Sequence, residues 1–300
     1  MTPTLERLGY APDDRVLIVH ADDVGFSHAS NVAAFEAMLH GSLTCMSTLV
    51  PAPWFMETAA LQKQHPQADV GVHMTLTAEY ETYRWRSLTG GAGSALHAPD
   101  GGMWRDVPSV LAHVSTEDAR AELRAQVEHA LAMGVDVTHL DTHMGTVIFP
   151  AYLPAYVDLA VEHRLPLFLV RPSDHRLDAL GEGAAVYQQQ VDRLDALGWP
   201  LLDQIIHRTL SEIAPADKEP TFRRMFAELR PGLTHFLVHP AAGGDELDAM
   251  TPVDCKHRAA DYAVFRTPAM REYCQSLGIK LTGYREIRDR LRASLPARVG

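Results

Sequence analysis

The sequence predicts a parallel α/β fold, and a single (β/α) barrel over residues 1–300 satisfies this prediction best. First, short apolar runs alternate with longer helical patterns along almost the whole chain. Second, several of these runs are rich in β-branched residues and lack strict alternation, which is typical of strands buried on both faces. Third, 300 residues are enough for one large barrel. An open, doubly wound sheet is the alternative architecture.

Apolar runs and helical patterns place the individual elements in order. The predicted strands are 16–19, 43–50, 70–76, 137–140, 167–170, 201–206, 236–238 and 279–281. The predicted helices lie at about 28–40, 54–64, 116–133, 151–163, 186–197, 221–229, 256–276 and 284–293. Ser27 and Thr116 are the expected N-caps of two helices. Glycines follow four helices at the points where they are expected to stop: Gly41, Gly134, Gly198 and Gly278.

One segment, at about 77–115, interrupts this alternation. It is rich in glycine and shows no clear periodicity. A loop of this length inside a compact domain is usually functional or mobile. We therefore expect a loop insertion after the third strand and no second domain.

Composition excludes several classes of partner. The chain has 27 Lys and Arg against 38 Asp and Glu, a net charge of −11, whereas nucleic acids and anionic membranes require a basic surface. No run of 18 apolar residues predicts a membrane span. The three cysteines are far apart and odd in number, so no disulfide framework is expected. A reducing cytoplasm is the expected location.

Polar residues follow or lie near the ends of five predicted strands. They are His20, Asp22 and Asp23, then His73, then Asp141 and His143, then Arg171, and finally His239. In parallel α/β folds the carboxyl ends of the strands meet at one edge, where ligands bind. We therefore expect one site that contains residues from all five strands.

Taken alone, each of these features has an ordinary explanation. An Asp22-Asp23 pair is common in turns, and a histidine within an apolar strand is usually a hydrogen-bonded core residue. In combination they favour a catalytic, metal-binding site. Adjacent residues of an extended chain point in opposite directions, so one carboxylate can bind a metal while the other faces a substrate water.

We predict that Asp23, His73 and His143 form a metal set of two histidines and one carboxylate. Such a set suits one divalent ion, Zn²⁺ or Mg²⁺, with Mn²⁺, Co²⁺ or Fe²⁺ as alternatives. His139 and Asp141 are expected to support the ligands, because a ligating histidine usually donates its other N–H to a carboxylate or carbonyl.

Four blocks of the chain carry a family resemblance. They are His-Ala-Asp-Asp-Val-Gly-Phe-Ser-His at 20–28, Gly-Val-His-Met-Thr-Leu-Thr at 71–77, Thr-His-Leu-Asp-Thr-His at 138–143 and Val-His-Pro at 238–240. In content and order they resemble the signature blocks of YdjC-type (ChbG/HpnK-like) carbohydrate deacetylases. The resemblance implies a deformed (β/α) barrel of the polysaccharide-deacetylase-like type. It also implies removal of N-acetyl groups from sugars with one divalent metal ion.

By matching position, the resemblance implies that Asp23, His73 and His143 bind the metal. It makes Asp22 the general base and His239 the general acid. The chain departs from the family pattern at three places: His20 replaces an Asn, Met144-Gly145 replaces a histidine-rich run, and Ala241 replaces a Gly. These positions flank the site, so they suggest a branch distinct from the chitooligosaccharide enzymes.

Further residues are assigned supporting roles. Arg171 is expected to hold Asp22 through a bidentate pair, or else to be a surface arginine. The insertion carries four aromatic residues, Tyr80, Tyr83, Trp85 and Trp104. Aromatic faces stack on sugar rings, so these four are candidate substrate contacts. Ordinary packing of the loop, or a homodimer contact, is the alternative.

The predicted function is therefore a metal-dependent hydrolase that removes an acetyl group from an N-acetylated sugar or oligosaccharide. Its expected partner is a small carbohydrate substrate. One alternative is a metal-dependent sugar isomerase or lyase, which would want a lysine or further carboxylates around the metal. The other is a catalytically silent sugar-binding barrel, in which the polar groups could lie more than about 10 Å apart.

Overall fold

The computed structural model describes residues 3–172, 181–207 and 209–296. A parallel sheet of seven strands lies at its centre. The strands are Arg15–Val24 (β1), Cys45–Thr48 (β2), Val70–Met74 (β3), Val137–Thr142 (β4), Gln204–Ile206 (β5), Gly232–Val238 (β6) and Lys280–Leu281 (β7). The parallel α/β class predicted from the sequence is confirmed.

Helices follow most strands and cover the outside of the sheet. They are Pro3–Arg7 (α1), His28–Leu39 (α2), Phe55–Gln64 (α3), Val107–His113 (α4), Thr116–Ala132 (α5), Leu153–His163 (α6), Ala184–Ala196 (α7), Lys218–Ala227 (α8), Asp245–Met250 (α9), Cys255–Phe265 (α10), Ala269–Ser276 (α11) and Tyr284–Ser294 (α12). Within the described ranges, no helix is both long and apolar enough to cross a membrane.

The strands follow one another around a ring. Their order is β4-β3-β2-β1-β6-β5, and β7 pairs with the beginning of β1. Isolated parallel bridges join Leu140 to Leu167 and Val170 to Leu202. These bridges connect β4, through segment 167–170, to the chain that enters β5, as a closed barrel requires. The predicted strand at 167–170 is thus present only as bridges, and this arc of the ring has few backbone hydrogen bonds.

Side chains along the strands alternate between two environments. On β1, Leu17 and Val19 belong to the core shared with the helices, whereas Val16 and Ile18 belong to a second cluster inside the ring. The next inward position is His20, whose ring lies 4.8 Å from that of His235. This period of two puts the inward residues of successive strands in layers, and the top layers are polar.

Local sequence signals account for the ends of some helices. The Ser27 side chain accepts a bond from the Ser30 amide at the start of α2, as predicted. The other predicted cap lies one residue off, since Ser115 and not Thr116 caps α5. Gly41 is needed for close packing and not only to end α2, because a Cβ there would lie 2.0 Å from the Phe265 carbonyl oxygen.

The insertion at 77–115 is fixed to the barrel. It contains α4 and two isolated bridges, Thr77 to Trp104 and His97 to Met103. The buried carboxylate of Glu122 on α5 accepts hydrogen bonds from insertion residues Leu88 and Thr89. The absence of periodicity therefore reflects irregular backbone held by specific polar contacts.

Candidate active site

The Asp22-Asp23 pair lies at an irregularity near the end of β1. The register with β2 shifts between Ala21 and Val24, and Asp23 has a φ of 62°. This left-handed conformation is rare for residues other than glycine and costs of order 1–3 kcal/mol. The irregular backbone turns both carboxylates toward His73, whose Nε2 lies 3.9 Å from Asp22 Oδ2 and 3.4 Å from Asp23 Oδ1. The expectation that the two side chains point in opposite directions is therefore wrong.

Three buried side chains converge at the mouth of the barrel. Asp23 Oδ1 lies 3.4 Å from His73 Nε2 and 3.2 Å from His143 Nδ1, and the three atoms all lie within 4.8 Å of one another. Among the described residues, nothing gives this buried oxygen a hydrogen bond of good geometry. Buried carboxylate oxygens are normally satisfied, and one carboxylate with two imidazoles is a common divalent-metal donor set. The residues present therefore fit one divalent ion.

Each histidine of this set is held through its other ring nitrogen. His73 Nδ1 lies 2.8 Å from Asp141 Oδ1, and Ser47 Oγ donates to the second oxygen of the same carboxylate at 2.7 Å. His143 Nε2 lies 2.9 Å from Glu79 Oε2. Burial opposes a charge on either ring, yet Asp141 raises the pKa of His73 well above its usual value. Glu79 likewise raises the pKa of His143 to about 9. A raised pKa favours the doubly protonated ring, so a metal ion must displace the proton on the metal-facing nitrogen of each histidine to bind.

Arg258, which the sequence analysis missed, holds the carboxylate of the set. Its Nη2 donates to Asp23 Oδ2 and to the Tyr80 hydroxyl oxygen, both at 2.8 Å, and its side chain is almost wholly buried. Burial opposes ionisation of Asp23, but the Arg258 charge and the two histidines hold the pKa of this carboxyl well below its usual range. Arg258 lies on α10, away from any strand end, so the strand-end criterion could not find it.

Glu79, also missed, lies just beyond the third predicted strand. Burial opposes its ionisation as well, yet the His143 charge lowers its pKa. Extending the strand-end search by three residues past 76 would have included it.

The structure contradicts the role expected of Arg171. Its guanidinium forms a bidentate pair with Asp195 at 2.6 and 2.7 Å, because α7 brings that carboxylate next to the strand end. Asp22 is held by His20 instead, whose Nδ1 lies 2.7 Å from Asp22 Oδ1. His139 therefore supports His20 and not a metal-facing histidine. The Nε2 atoms of His139 and His20 lie 2.8 Å apart.

His239 lies on the other side of Asp22. Its Nε2 is 4.0 Å from Asp22 Oδ2, and its backbone N–H donates to Asp261 Oδ2 at 3.0 Å. A buried ion pair between Lys218 and Asp261, at 2.6 Å, fixes that carboxylate. Burial lowers the pKa of His239 below its usual value, although the charges of Asp23 and Asp22 act in the opposite direction.

The four insertion aromatics occupy different places. Tyr80 contacts Arg258, and the buried Trp85 ring lies 6.1 Å from the His143 ring. The Tyr83 hydroxyl donates to the Phe26 carbonyl at 2.6 Å. Trp104 stacks on His113 at 3.9 Å and donates to a carbonyl inside the insertion, so it packs the loop and does not reach the site.

Comparison with known proteins identifies a family and several relatives. The family model described as YdjC-like protein matches residues 16–276. A Thermus thermophilus protein named carbohydrate deacetylase is 31% identical over 267 residues, which covers 89% of this chain and 92% of the relative. A Yersinia enterocolitica protein named chitooligosaccharide deacetylase is 26% identical over 275 residues, which covers 90% of this chain and 98% of the relative.

One solved structure shows the same fold over most of its length. An Enterococcus faecalis V583 crystal structure superimposes with a TM-score of 0.72 at 21% identity, covering 90% of this chain and 98% of that one. The family match spans most of the present chain and includes Asp23, His73 and His143. The chain therefore belongs to the YdjC-like protein family.

Proposed function

We propose that this protein is a metal-dependent hydrolase that removes the acetyl group from an N-acetylated sugar or oligosaccharide. The observation that carries the proposal is the buried cluster of Asp23, His73 and His143, in which one carboxylate oxygen of Asp23 has no hydrogen bond of good geometry. The names of the Thermus and Yersinia relatives support a sugar amide as the substrate.

Asp23 Oδ1, His73 Nε2 and His143 Nδ1 would hold the ion. When bound there, a divalent ion supplies polarisation of the amide carbonyl and a lowered pKa for a coordinated water. Zn²⁺ and Mg²⁺ are the first candidates, with Mn²⁺ and Co²⁺ as alternatives.

Asp22 accepts the proton of the attacking water. His20 occupies its Oδ1 at 2.7 Å, which leaves Oδ2 to face the site and to take that proton. The water oxygen bonds to the carbonyl carbon, and the C–N bond breaks to give acetate and a free amine.

His239 donates a proton to the departing amine nitrogen. It faces the same Asp22 oxygen at 4.0 Å, so base and acid stand on one side of the reacting amide. Because burial lowers the pKa of His239, its protonated form is a strong acid but a minor species at neutral pH. We expect kcat/KM to fall as pH rises through a value below about 6.5, the usual histidine pKa.

The alternatives find less support. A sugar isomerase or lyase would want a lysine near the metal, but the buried Lys218 is engaged by Asp261 and the Thr209 carbonyl. A silent barrel would not require the proposed base, Asp22, to lie within 4.0 Å of both the proposed acid, His239, and the metal-facing His73, as it does here.

The test measures acetate release from N-acetylglucosamine and its oligomers with protein loaded with Zn²⁺ or Mg²⁺. Asp22→Asn should keep the metal and lose about a hundredfold or more in kcat. His73→Ala should lose the metal. Asp192→Asn, an exposed carboxylate on α7, is the matched control. Wild-type rates in Asp22→Asn, or no release by the loaded wild type, would contradict the proposal.

A further inference from the structure

The proposed acid, His239, is held differently from the other histidines of the site. Ring nitrogens of His73, His143 and His20 each lie 2.7–2.9 Å from a carboxylate oxygen. His239 Nε2 is 4.0 Å from Asp22 Oδ2, too far for a hydrogen bond, and its buried Nδ1 has no hydrogen-bond partner among the described residues. The aim of this ring is therefore set by packing and by the backbone that carries it.

That backbone is docked on helix α10. The His239 N–H donates to Asp261 Oδ2 at 3.0 Å. Two residues further on, the Ala241 N–H donates to the Arg258 carbonyl at 3.2 Å. Asp261 and Arg258 lie three positions apart, which places them on one face of the helix. Pro240, between the two docked residues, restricts the backbone further.

Side chains hold this stretch because it extends past the pairing of β5 with β6. The register between the two strands ends at Ile206. Beyond it, the Leu237 carbonyl accepts a hydrogen bond from the Thr209 hydroxyl at 2.7 Å, as the His239 N–H is bound by Asp261. Two side chains thus take the place of a neighbouring strand.

Lys218, the first residue of α8, ties these two side chains together. Its Nζ donates to Asp261 Oδ1 at 2.6 Å and to the Thr209 carbonyl at 2.9 Å, and both members of the ion pair are wholly buried. Apolar residues of similar volume often stabilise a fold as well as a buried ion pair does, because two charges lose their hydration. What this pair adds is direction: Lys218 holds one oxygen of Asp261 while the other oxygen faces the His239 N–H.

We propose that Asp261 and Lys218 are positioning residues for the proposed acid, and that their ion pair holds the His239 backbone so that Nε2 faces the reacting amide beside Asp22. The inference rests on the proposed amide hydrolysis and adds to it two residues outside the metal-facing set. An amine leaves readily only when it is protonated, so a misplaced acid slows the breaking of the C–N bond.

Two double variants isolate the hydrogen bond to the His239 N–H. Lys218→Met with Asp261→Leu removes both charges and the acceptor, whereas Lys218→Met with Asp261→Asn keeps an oxygen that can accept. The leucine variant should lose about 10–100-fold in kcat for N-acetylglucosamine oligomers, with KM and metal content unchanged. The asparagine variant should recover most of this loss. Equal rates in the two variants, or a wild-type rate in the leucine variant, would overturn the proposal.

A second reaction separates positioning from general damage. 4-Nitrophenyl acetate releases a phenolate that departs without a proton, so its hydrolysis does not require an acid, and its rate should change less than about threefold in the leucine variant. The control for both reactions is Glu219→Leu with Arg223→Met, which removes a more exposed ion pair of the same helix. Equal losses of amide and ester hydrolysis would show a merely structural role and contradict the proposal.

Hydrogen exchange supplies a readout that does not depend on turnover. The His239 N–H, followed by NMR, should exchange about tenfold faster in the leucine variant than in the asparagine variant. If the loaded wild type releases no acetate but exchange differs in this way, the hold on His239 stands and the proposed function is wrong. Equal exchange in the two variants would refute the hold.

Asp261→Asn alone covers the case in which the double variants fail to fold. The substitution conserves volume, and the charged donor Lys218 takes its single oxygen, so the carboxamide nitrogen is left facing the His239 N–H. The ratio of amide to ester hydrolysis should fall by about threefold or more. An unchanged ratio would overturn the proposal.

Discussion

At the residue scale, the setting of Asp22 depends on a directed chain of hydrogen bonds. If His20 is neutral and donates from Nδ1 to Asp22, its Nε2 accepts from His139 Nε2, 2.8 Å away. His139 Nδ1 can then accept from the Thr138 hydroxyl at 2.9 Å. Burial lowers the pKa of His139 well below its usual value, so this ring is neutral and carries one proton, as the chain requires. His20 is thereby a positioning residue for the proposed base.

We predict that His20→Ala lowers kcat by about 10–100-fold while KM and the metal content stay unchanged. The alanine removes the bond that aims Asp22 but touches none of the metal-facing atoms. His20→Asn should recover part of the rate, because its amide can donate from nearly the place of Nδ1. Steady-state kinetics with elemental analysis measures all three quantities, with the exposed His40→Ala as control. A full rate in His20→Ala, or a loss of metal, would contradict the positioning role.

At the scale of elements, strand β1 and helix α5 position the site residues and the insertion. The irregular end of β1 supplies both the proposed base and the metal-facing carboxylate. On α5, Glu122 is wholly buried and holds the insertion, accepting from the amides of Leu88 and Thr89 at 3.0 and 2.9 Å. Glu79, near the start of the insertion, in turn contacts His143. The long loop is therefore structurally coupled to the site.

We predict that Glu122→Ala lowers the free energy of unfolding by about 2–3 kcal/mol, because it removes a buried carboxylate that accepts hydrogen bonds from Leu88 and Thr89 of the insertion and from the buried Gln126 amide. Glu128→Ala on the same helix is the matched control. Its exposed carboxylate pairs with Arg124 at 3.6 Å, and its removal should cost less than about 0.5 kcal/mol. Urea denaturation measures both. Equal effects of the two changes would show that the insertion does not depend on Glu122.

At the scale of the whole molecule, the barrel encloses neutral histidines. His139 stacks on Tyr284 at 4.0 Å, and His235 Nδ1 lies 3.0 Å from the hydroxyl of the same tyrosine. Burial lowers the pKa of both histidines well below the usual value. Between that lowered pKa and about 6.5 the unfolded chain binds more protons than the folded one, so stability is lost as pH falls below about 6.5.

We predict that His235→Phe reduces this acid sensitivity. For one such histidine, the loss in free energy of unfolding between pH 6.5 and 5.5 is about 1 kcal/mol. The variant should therefore lose about 1 kcal/mol less than the wild type over that interval, whatever its stability at pH 7. Denaturation of metal-free protein at several pH values measures the slope, with His40→Phe as control. Parallel slopes for wild type and variant would contradict a neutral, buried His235.

Several features of this protein follow from its sequence alone. Apolar runs and glycine stops located most strands and helices, because parallel strands buried on both faces need unbroken apolar sequence. The predicted helix at 256–276 is instead two helices, α10 and α11, and α1, α4 and α9 were not predicted. The same periodicity placed Asp22, Asp23, His73, His143 and His239 at one edge, since the carboxyl ends of parallel strands coincide there. Their convergence within a few ångströms could thus be predicted from spacing and the family blocks.

Other features were decided only by the tertiary structure. Arg258 reaches Asp23 across 235 positions of chain, and Arg171 turns to Asp195 and away from Asp22. The irregular end of β1 brings neighbouring carboxylates to one side. Each outcome depends on which side chains meet when separate elements pack. Local propensity and periodicity carry no information about such contacts, because they describe a residue's own strand or helix and not its neighbours in space.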